Sequence, residues 1–499
     1  MPVRAQGKTM GGPVTCPRAI NDTGLVARGT AQNVLSRGCV FAFGYLATII
    51  LARHLGPVDY GVYGLIMSVL LWIEQTSRFT ISPATAILVS RKDHNATALQ
   101  QTALFLNIIL FLVLFVALWF AAPLLADFFA LQRADNLFRL AAMDLPFFGM
   151  YVVHYGMLQG RREFLSIGIA DVLYSLIKLA GILCLLAFWF SVPGALIVNV
   201  LASVGVMLFV IVRVGIKNPR PDYKLISALI YTALPLGLYM LALQTTANLD
   251  LWFLRMLKPS EEAALGMYVA ARSVAMAPGV ILMVVSDVLL PSLAHALGEN
   301  DASLARRYLQ GGVRFLCIVG FPIVLLFMLT GEQIMFLLYS SSFLDGAIYL
   351  PILILYSISL PFIDLFASSL SAHGQPLLGG ITLILIVLVS VIINIFLILS
   401  YGPIGAAYAS ALTGLLGVFA LGFLVCKRFG SLIRGRTFCN VILAIVIMSA
   451  IASQITTTGS WLAIVAVGCV TLYVLGLVLL GEITWKDVEP LAFWRSIER

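Results

Sequence analysis

The chain has 499 residues, of which 61% are hydrophobic and only 11% are charged, and its formal net charge is +8. A soluble globular protein carries roughly 25% charged residues, because its surface must face water. This composition therefore excludes a water-soluble enzyme, a nucleic-acid reader and a disordered scaffold. What remains is a polytopic membrane protein, whose apolar surface is solvated by lipid.

A helix needs roughly 20 apolar residues to cross a bilayer core about 30 Å thick. Runs of this length, bounded by charges or by Gly and Pro, predict an all-α membrane protein with about 14 transmembrane helices. The two least apolar runs carry Glu74 and Arg78, and Arg139 and Asp144. The predicted spans are 32–52, 62–84, 100–123, 137–158, 167–190, 193–213, 226–248, 264–290, 308–330, 347–370, 377–399, 404–426, 437–456 and 461–481.

Basic residues concentrate in alternate loops, as the pairs Arg91-Lys92, Arg161-Arg162 and Arg306-Arg307 illustrate. The positive-inside rule places these loops and both chain ends in the cytoplasm. We predict cytoplasmic tails at 1–24, which we expect to be disordered, and at 482–499. Because topology accounts for the net charge, we expect no nucleic-acid partner.

A repeat indicates two lobes of the same orientation. The link 55–63 (Leu-Gly-Pro through Tyr-Gly-Val-Tyr) is echoed at 257–268, roughly 205 residues later. We predict a six-helix lobe over 25–215, a second over 216–430 and a terminal helix pair over 431–481. Parallel repeats in transporters flank a central substrate site that opens alternately to either face.

Ionisable residues within the predicted spans need a partner or a hydrated cavity, because each costs about 2.5–3.5 kcal/mol at mid-bilayer. Lys178 and Arg272, one from each lobe, lie deepest. They either line a hydrated cavity, which would attract an anion such as a phosphate, or form interhelical ion pairs. We name as second candidates for such a cavity Arg37, Arg53, Arg78 and Arg314.

Acidic residues in the spans suggest further pairs. Glu74 and Arg78 are four residues apart, acid first, which suits an ion pair within one helix. Asp171 and Lys178 are seven apart, and Tyr174 lies on the same helix face. Acids near span ends can also reach water. The candidates for coupling to a proton or sodium gradient are Asp171, Asp364, Glu74 and Asp250.

The sequence gives no support for an enzyme. It contains no GxSxG elbow, HExxH helix or P-loop, so neither hydrolytic chemistry nor ATP use is indicated. Its seven cysteines form no CxxC or Cys/His pair, which leaves no metal or redox motif. We therefore expect no cofactor, apart from a coupling ion.

Three segments carry a resemblance to a known family. Residues 51–63 (LARHLGPVDYGVY) closely resemble the opening of polysaccharide and O-antigen flippases. Residues 248–271 look like the start of the second half of those proteins, and residues 159–164 (QGRREF) are similar to their loop before span five. These flippases belong to the multidrug/oligosaccharidyl-lipid/polysaccharide exporter superfamily.

This resemblance implies that the chain moves a polyprenyl-diphosphate-linked oligosaccharide from the cytoplasmic to the periplasmic leaflet of the bacterial inner membrane. The cargo would serve assembly of O-antigen, exopolysaccharide or capsule, with a polysaccharide polymerase and glycosyltransferases as partners. In that family the cavity between the lobes tends to be cationic, and ion gradients are thought to drive the cycle. From their depth in the predicted spans alone, we expect Lys178 and Arg272 to line this cavity.

Three other functions stay open. A multidrug exporter would have a cavity of acids and aromatic residues for cationic cargo, which the deep Lys178 and Arg272 argue against. A lipid II flippase carries an anionic diphosphate-linked sugar too, so the same cations would suit it. A scaffold within a polysaccharide-assembly complex would need neither paired lobes nor charges inside the membrane.

Overall fold

The computed structural model describes residues 19–90, 96–131, 134–161, 163–188, 191–215, 220–299, 301–432, 440, 443, 461–480 and 482. The first lobe consists of α1 (Ala19–Ser90), α2 (Ala96–Phe128), α3 (Asp135–Ala142), α4 (Asp144–Gly160), α5 (Phe164–Phe188) and α6 (Val192–Val214).

We keep the predicted division after residue 215 and call the helices that follow it, through α13, the second lobe. It consists of α7 (Tyr223–Leu257), α8 (Glu262–Leu282), α9 (Val284–Gly298), α10 (Ala302–Tyr339), a 3-10 helix (Ser341–Ile348), α11 (Leu350–Ala372), α12 (Pro376–Tyr401) and α13 (Pro403–Phe429). A further helix, α14 (Trp461–Leu479), follows.

The predicted all-α membrane fold is confirmed. Within the described ranges, 10 helical segments are long and apolar enough to cross a membrane. The count of about 14 spans is approximate, because α1 contains the first two predicted spans, while α3 and α4 share the fourth and α8 and α9 share the eighth. The predicted span 437–456 lies outside the described residues, apart from positions 440 and 443.

A sharp corner divides α1 into two spans. Gly56 has φ 73° and ψ 174°, a conformation that a residue with a Cβ rarely adopts, and Pro57 begins the next helical segment. Gly402 (φ 64°) and Pro403 form a similar corner between α12 and α13. The helix begins at Ala19, within the predicted tail 1–24.

The repeated glycines of the two lobes lie against each other. A Cβ added to Gly61 of α1 would lie 2.8 Å from the amide nitrogen of Gly266 in α8, and a Cβ on Gly266 would collide with the carbonyl oxygen of Pro57. Two helix backbones can approach this closely only where no side chain stands between them. The two copies of the repeated motif are thus the two sides of one contact.

Two tryptophans extend the contact along α1 and α7. The indole Nε1 of Trp252 donates to Oγ of Ser68 at 2.9 Å, and Nε1 of Trp72 donates to Oγ1 of Thr245 at 3.0 Å. The two indole rings meet edge to face, with centroids 5.7 Å apart. Each lobe therefore contributes one donor and one acceptor to this pair of bonds.

Two arginines join the lobes at the end of the bundle that topology predicts to be outside. Arg255 of α7 donates to the carbonyl oxygens of Phe129 and Ala130, which end the α2 segment, at 2.9 Å each. Arg53 of α1 donates from Nε to the carbonyl oxygen of Leu338 in α10 at 2.7 Å. These bonds satisfy helix carbonyls that have no partner within their own helix.

The buried apolar residues form more than one core. One continuous core includes Leu65 and Tyr151 of the first lobe together with Tyr268 and Tyr339 of the second. Two smaller cores lie nearer the predicted cytoplasmic side. One belongs to the second lobe, and the other joins Leu88 and Leu99 of the first lobe to Leu225 and Leu229 of α7. An apolar groove of about 510 Å³ lies there between α1, α2 and α7, and Gly237 is among its lining residues. The lobes are thus joined by a large core around the outer contact and by a small cluster at the start of α7.

We predict that Gly266→Ala destabilises the protein by about 1–3 kcal/mol, because the added methyl group must push α8 away from Pro57. Thermal unfolding of the purified protein in detergent measures this. Gly311→Ala in α10 is the matched control, since a Cβ there meets nothing within 4 Å. Equal unfolding temperatures for the two variants would contradict the close contact.

Candidate functional site

A cation and an acid from different helices pair within the first lobe. Nη2 of Arg78 in α1 lies 2.8 Å from Oδ1 of Asp171 in α5, and the Tyr151 hydroxyl donates to the same oxygen at 2.8 Å. The guanidinium carbon of Arg78 lies 4.6 Å from the ring centroid of Tyr155. The expected ion pair of Arg78 with Glu74 is wrong, because α5 packs against α1 and supplies a closer carboxylate.

Glu74 instead faces a second carboxyl group. Its side chain is 1% exposed and lies beside that of Asp144, at the start of α4, which is 0% exposed. Ser203 of α6 is the other polar neighbour of Asp144. Three helices thus bring two acids and a hydroxyl group together in the interior of the first lobe.

Lys178 lies next to these acids. Its Nζ donates to Oδ1 of Asn199 in α6 at 3.0 Å, and the hydroxyl of Tyr174 donates to the same oxygen at 3.1 Å. Glu74 and Asp144 both lie close enough to Lys178 to interact with its charge. Tyr174 and Lys178, which were predicted to lie on one face of their helix, therefore donate to the same acceptor on the neighbouring helix.

Arg272 belongs to a separate cluster within the second lobe. Its Nη1 lies 3.7 Å from Oδ1 of Asp250, and its Nη2 donates to Oδ1 of Asn248 at 3.2 Å. The other oxygen of Asp250 accepts from the Tyr268 hydroxyl at 2.6 Å and from Oγ of Ser410 at 2.8 Å. Arg272 is thus held by an interhelical ion pair, one of the two alternatives that the sequence left open.

The structure places two of the other candidate cations near the ends of the first span. Arg37 is exposed near the predicted cytoplasmic end of α1, close enough to Tyr155 for their charges to interact. Arg53 lies near the opposite end, where it donates to carbonyl groups of α10. Arg37 therefore lies beside the Arg78 cluster, whereas Arg53 bridges the lobes far from it.

The remaining two candidates lie on α10 and α11. Arg314 forms an ion pair with Glu482, with 3.6 Å between Nε and Oε2, and so links α10 to the residues that follow α14. Asp364 is half-buried on α11, close to Tyr239 of α7. Neither residue is among the described partners of Lys178 or Arg272.

Sequence reasoning missed four residues of the first-lobe site: Asp144, Tyr151, Tyr155 and Ser203. Asp144 stands at the start of a predicted span, where an acid near water needs no explanation. The structure shows that it is fully buried instead, at the start of α4. The available signal was that each of the two least apolar spans carries an acid, Glu74 in one and Asp144 in the other.

The arrangement suits recognition of charge within the membrane rather than bond-breaking chemistry. The side chains of Arg78 and Arg272 are 22% and 16% exposed, although both lie within membrane-spanning helices. Charged side chains at such positions face the bundle interior or a water-filled cavity. No three His, Cys, Asp or Glu side chains gather into a metal-binding group in the part of the chain that the structure describes.

We predict that Asp171→Asn costs about 1–3 kcal/mol, because it leaves Arg78 uncompensated in a site that is only about a quarter exposed. Asp135→Asn is the matched control, since its ion pair with Arg139 is a third exposed and is expected to contribute about 0.5 kcal/mol or less. Thermal unfolding in detergent compares the two. The double variant Arg78→Gln/Asp171→Asn is expected to recover part of the loss, and a loss at Asp135 as large as that at Asp171 would refute this account.

Solved structures with similar folds are transporters. The chain is similar to the lipid II flippase MurJ in an inward closed conformation, with TM-score 0.73 and 17% identity, covering 94% of this chain and 99% of that one. It is also similar to an inward-facing MATE family multidrug resistance transporter of the MOP superfamily (TM-score 0.69, 17% identity, 80% and 98% covered). A MOP superfamily transporter from Pyrococcus furiosus gives TM-score 0.61 at 17% identity, with 82% and 96% covered.

Sequence comparison identifies the family. No curated protein sequence matches the chain significantly. The family model described as polysaccharide biosynthesis protein matches residues 50–347, which is more than half of the chain. This range contains the segment 51–63 and most of both lobes. The chain therefore belongs to the polysaccharide biosynthesis protein family, and it has the fold of the MOP superfamily transporters.

Proposed function

We propose that the protein is a flippase of the bacterial inner membrane that moves a polyprenyl-diphosphate-linked oligosaccharide from the cytoplasmic to the periplasmic leaflet. The cargo would serve assembly of O-antigen, exopolysaccharide or capsule. Its lipid tail, diphosphate and sugars each need a different environment during transfer. Membership of the polysaccharide biosynthesis protein family supports this class of cargo.

One observation carries the proposal: basic side chains inside the membrane-spanning helices of both lobes are partly exposed. Arg78 and Lys178 lie in the first lobe and Arg272 in the second. Their partners compensate these charges but leave donors that a diphosphate can engage, since phosphate oxygens accept several charge-assisted hydrogen bonds at once. A cargo group with two phosphates could accept hydrogen bonds from basic side chains of both lobes.

The contact between the lobes suggests how the cargo enters. The outer halves share a large core and the contact of Gly61 with Gly266, whereas the apolar cluster that joins the inner halves, around Leu225 and Leu229 of α7, is much smaller. We propose that the headgroup enters from the cytoplasmic side while the prenyl tail stays in lipid. The lobes would then separate at the outer end, so that the site opens to the periplasm.

A lipid II flippase is the second candidate. The similarity to MurJ, the lipid II flippase, favours it at the level of fold. Both cargoes carry a diphosphate between a polyprenyl chain and sugars, so the same cations could serve either one. Identifying the lipid intermediate that accumulates when the gene is deleted distinguishes the two candidates, because each predicts a different sugar composition.

We predict that Lys178→Glu/Arg272→Glu lowers surface polysaccharide about tenfold or more, because one charged hydrogen bond contributes roughly 1.5–3 kcal/mol. The assay complements a flippase-null strain, scores surface polysaccharide and measures the amount of protein in the membrane. Lys178→Arg/Arg272→Lys, which keeps both charges, is expected to retain most of the export.

Arg307→Glu is a further control, because Arg307 is exposed at the start of α10, outside the candidate site. It is expected to leave export unchanged. Normal export from a stably expressed Lys178→Glu/Arg272→Glu variant would refute a role for these cations in cargo binding.

A further inference from the structure

Arg78 and Asp171 form an accessible ion pair. Their side chains are 22% and 25% exposed, whereas those of Arg272 and Asp250 in the second lobe are 16% and 3% exposed. Among the described residues, the first-lobe pair is joined by one hydrogen bond, from Nη2 of Arg78 to Oδ1 of Asp171 at 2.8 Å. An arginine binds a carboxylate or phosphate most strongly through two parallel hydrogen bonds. The pair therefore uses only part of the binding capacity of the guanidinium group.

Each member of this pair also has a partner of its own. The Tyr151 hydroxyl donates to Oδ1 of Asp171 at 2.8 Å. The guanidinium carbon of Arg78 lies 4.6 Å from the ring centroid of Tyr155 and 5.6 Å from that of Tyr151, within the range of cation–π attraction. The Tyr155 hydroxyl is a hydrogen-bond partner of Arg78 as well. Opening of the ion pair therefore leaves neither charge without a partner.

Asp250 shows how a permanently held carboxylate is bound in the same fold. Its Oδ2 accepts from two hydroxyl groups of neighbouring helices, and its Oδ1 accepts from the backbone amide of Leu251 at 2.8 Å. Both oxygens are thus fixed by groups other than Arg272. Among the described residues, Tyr151 is the one comparable donor to Asp171. The Asp171 carboxylate therefore depends on its arginine more than Asp250 does, and it is freer to exchange partners.

Arg78 lies nearer to the predicted cytoplasmic surface than Lys178. Its partner Asp171 precedes Lys178 by seven residues on α5, which corresponds to about 10 Å along the helix axis. Because α5 enters the membrane from the predicted cytoplasmic side, a headgroup arriving from there meets the level of Arg78 first. Arg37, which interacts with Tyr155, is exposed at the same end. Arg78 is therefore placed to receive an anionic group before the deeper Lys178 does.

We propose that Asp171 competes with the cargo diphosphate for Arg78, and that Tyr151 holds Asp171 while the cargo is bound. This role rests on the proposed function. On entry, the diphosphate replaces the carboxylate on the guanidinium group, where it accepts two parallel hydrogen bonds in exchange for one. When the cargo leaves, Asp171 pairs with Arg78 again. Asp171 and Tyr151 are thus positioning residues, since they act on the cargo through Arg78.

The competition has two consequences for transport. The empty protein changes conformation with Arg78 paired, so this position carries no uncompensated charge through the membrane. The carboxylate also limits how tightly the cargo binds, because only molecules in which Arg78 is unpaired offer it the guanidinium group. A moderate affinity allows the cargo to leave on the opposite side.

Calorimetric titration of the purified protein in detergent with farnesyl diphosphate tests the competition. Asp171→Asn is expected to tighten binding about tenfold, the effect of removing one charged competitor. Tyr151→Phe is expected to weaken binding about threefold, because Asp171 without its other donor holds Arg78 more firmly. Asp171→Glu keeps the carboxylate and should retain the wild-type affinity. Farnesol, which lacks the diphosphate, corrects for uptake of the prenyl chain by the micelles.

Asp135→Asn is the matched control, because it removes the same charge from an ion pair with Arg139 outside the candidate site. It should leave the affinity unchanged. In an Arg78→Gln background, Asp171→Asn should no longer tighten binding, since its effect acts through that guanidinium group. Unfolding temperatures are measured in parallel. Structural damage alone would lower both stability and affinity, whereas the competition predicts that Asp171→Asn lowers stability and raises affinity.

The complementation assay gives a second readout. At equal amounts of protein in the membrane, Asp171→Asn is expected to lower surface polysaccharide, because tighter binding slows release of the cargo. Asp171→Glu should restore it. Tighter binding together with weaker export is a combination that a purely structural role of Asp171 does not produce.

The proposal would be overturned if Asp171→Asn binds farnesyl diphosphate no more tightly than the wild type, or if it tightens binding equally in the Arg78→Gln background. Absence of binding by both proteins would overturn it as well. If the affinities change as expected but deletion of the gene leaves the lipid-linked oligosaccharides of the cell unchanged, the competition at Arg78 stands and the proposed cargo fails. If those oligosaccharides accumulate but Asp171→Asn has the wild-type affinity, the proposed function stands and the competition fails.

Discussion

The close approach of α1 and α8 is the contact on which the arrangement of the two lobes depends. Gly61 and Gly266 bring two backbones together with no side chain between them, and the outer core, the tryptophan pair and the bridging arginines all form around this point. A contact of this kind buries little charge and fixes little side-chain conformation. Its separation at the outer end would be one step of the alternating access that we propose.

The membrane imposes a second condition, since every charge within it must be compensated. The two lobes meet this condition differently. In the second lobe, Asp250 is paired with Arg272 and is hydrogen-bonded by two hydroxyl groups. In the first lobe, one acid, Asp171, is paired with Arg78, whereas Glu74 and Asp144 share a single nearby cation, Lys178. A pseudo-symmetric fold thus carries an asymmetric charge distribution.

Much of the fold could be predicted from the sequence, because span length and loop charge are local properties. The repeat also identified Gly61 and Gly266 as equivalent positions, although only the structure shows that they contact each other. The pairing of charges could not be predicted, because it depends on which helices pack together. Arg78 pairs with Asp171, 93 residues away, because α5 packs against α1. Glu74 and Asp144 lowered the apolar character of predicted spans two and four, and in the structure these two acids lie beside each other. The acids that interrupted the apolar pattern of two separate predicted spans therefore lie together in one buried site.

The single-residue corner at Gly56 has a mechanical consequence. Helical segments joined by several flexible residues can tilt independently, but here one glycine followed by a proline connects the first two spans, and Gly402 with Pro403 connects α12 to α13. With one non-helical residue between them, the joined helix ends stay together, although the angle between the helices can still change at the glycine. A displacement at the Arg78 end of α1 would be transmitted to the Gly61–Gly266 contact, because the helix is continuous from Gly61 to Arg78, and from there it would reach the first span through the corner.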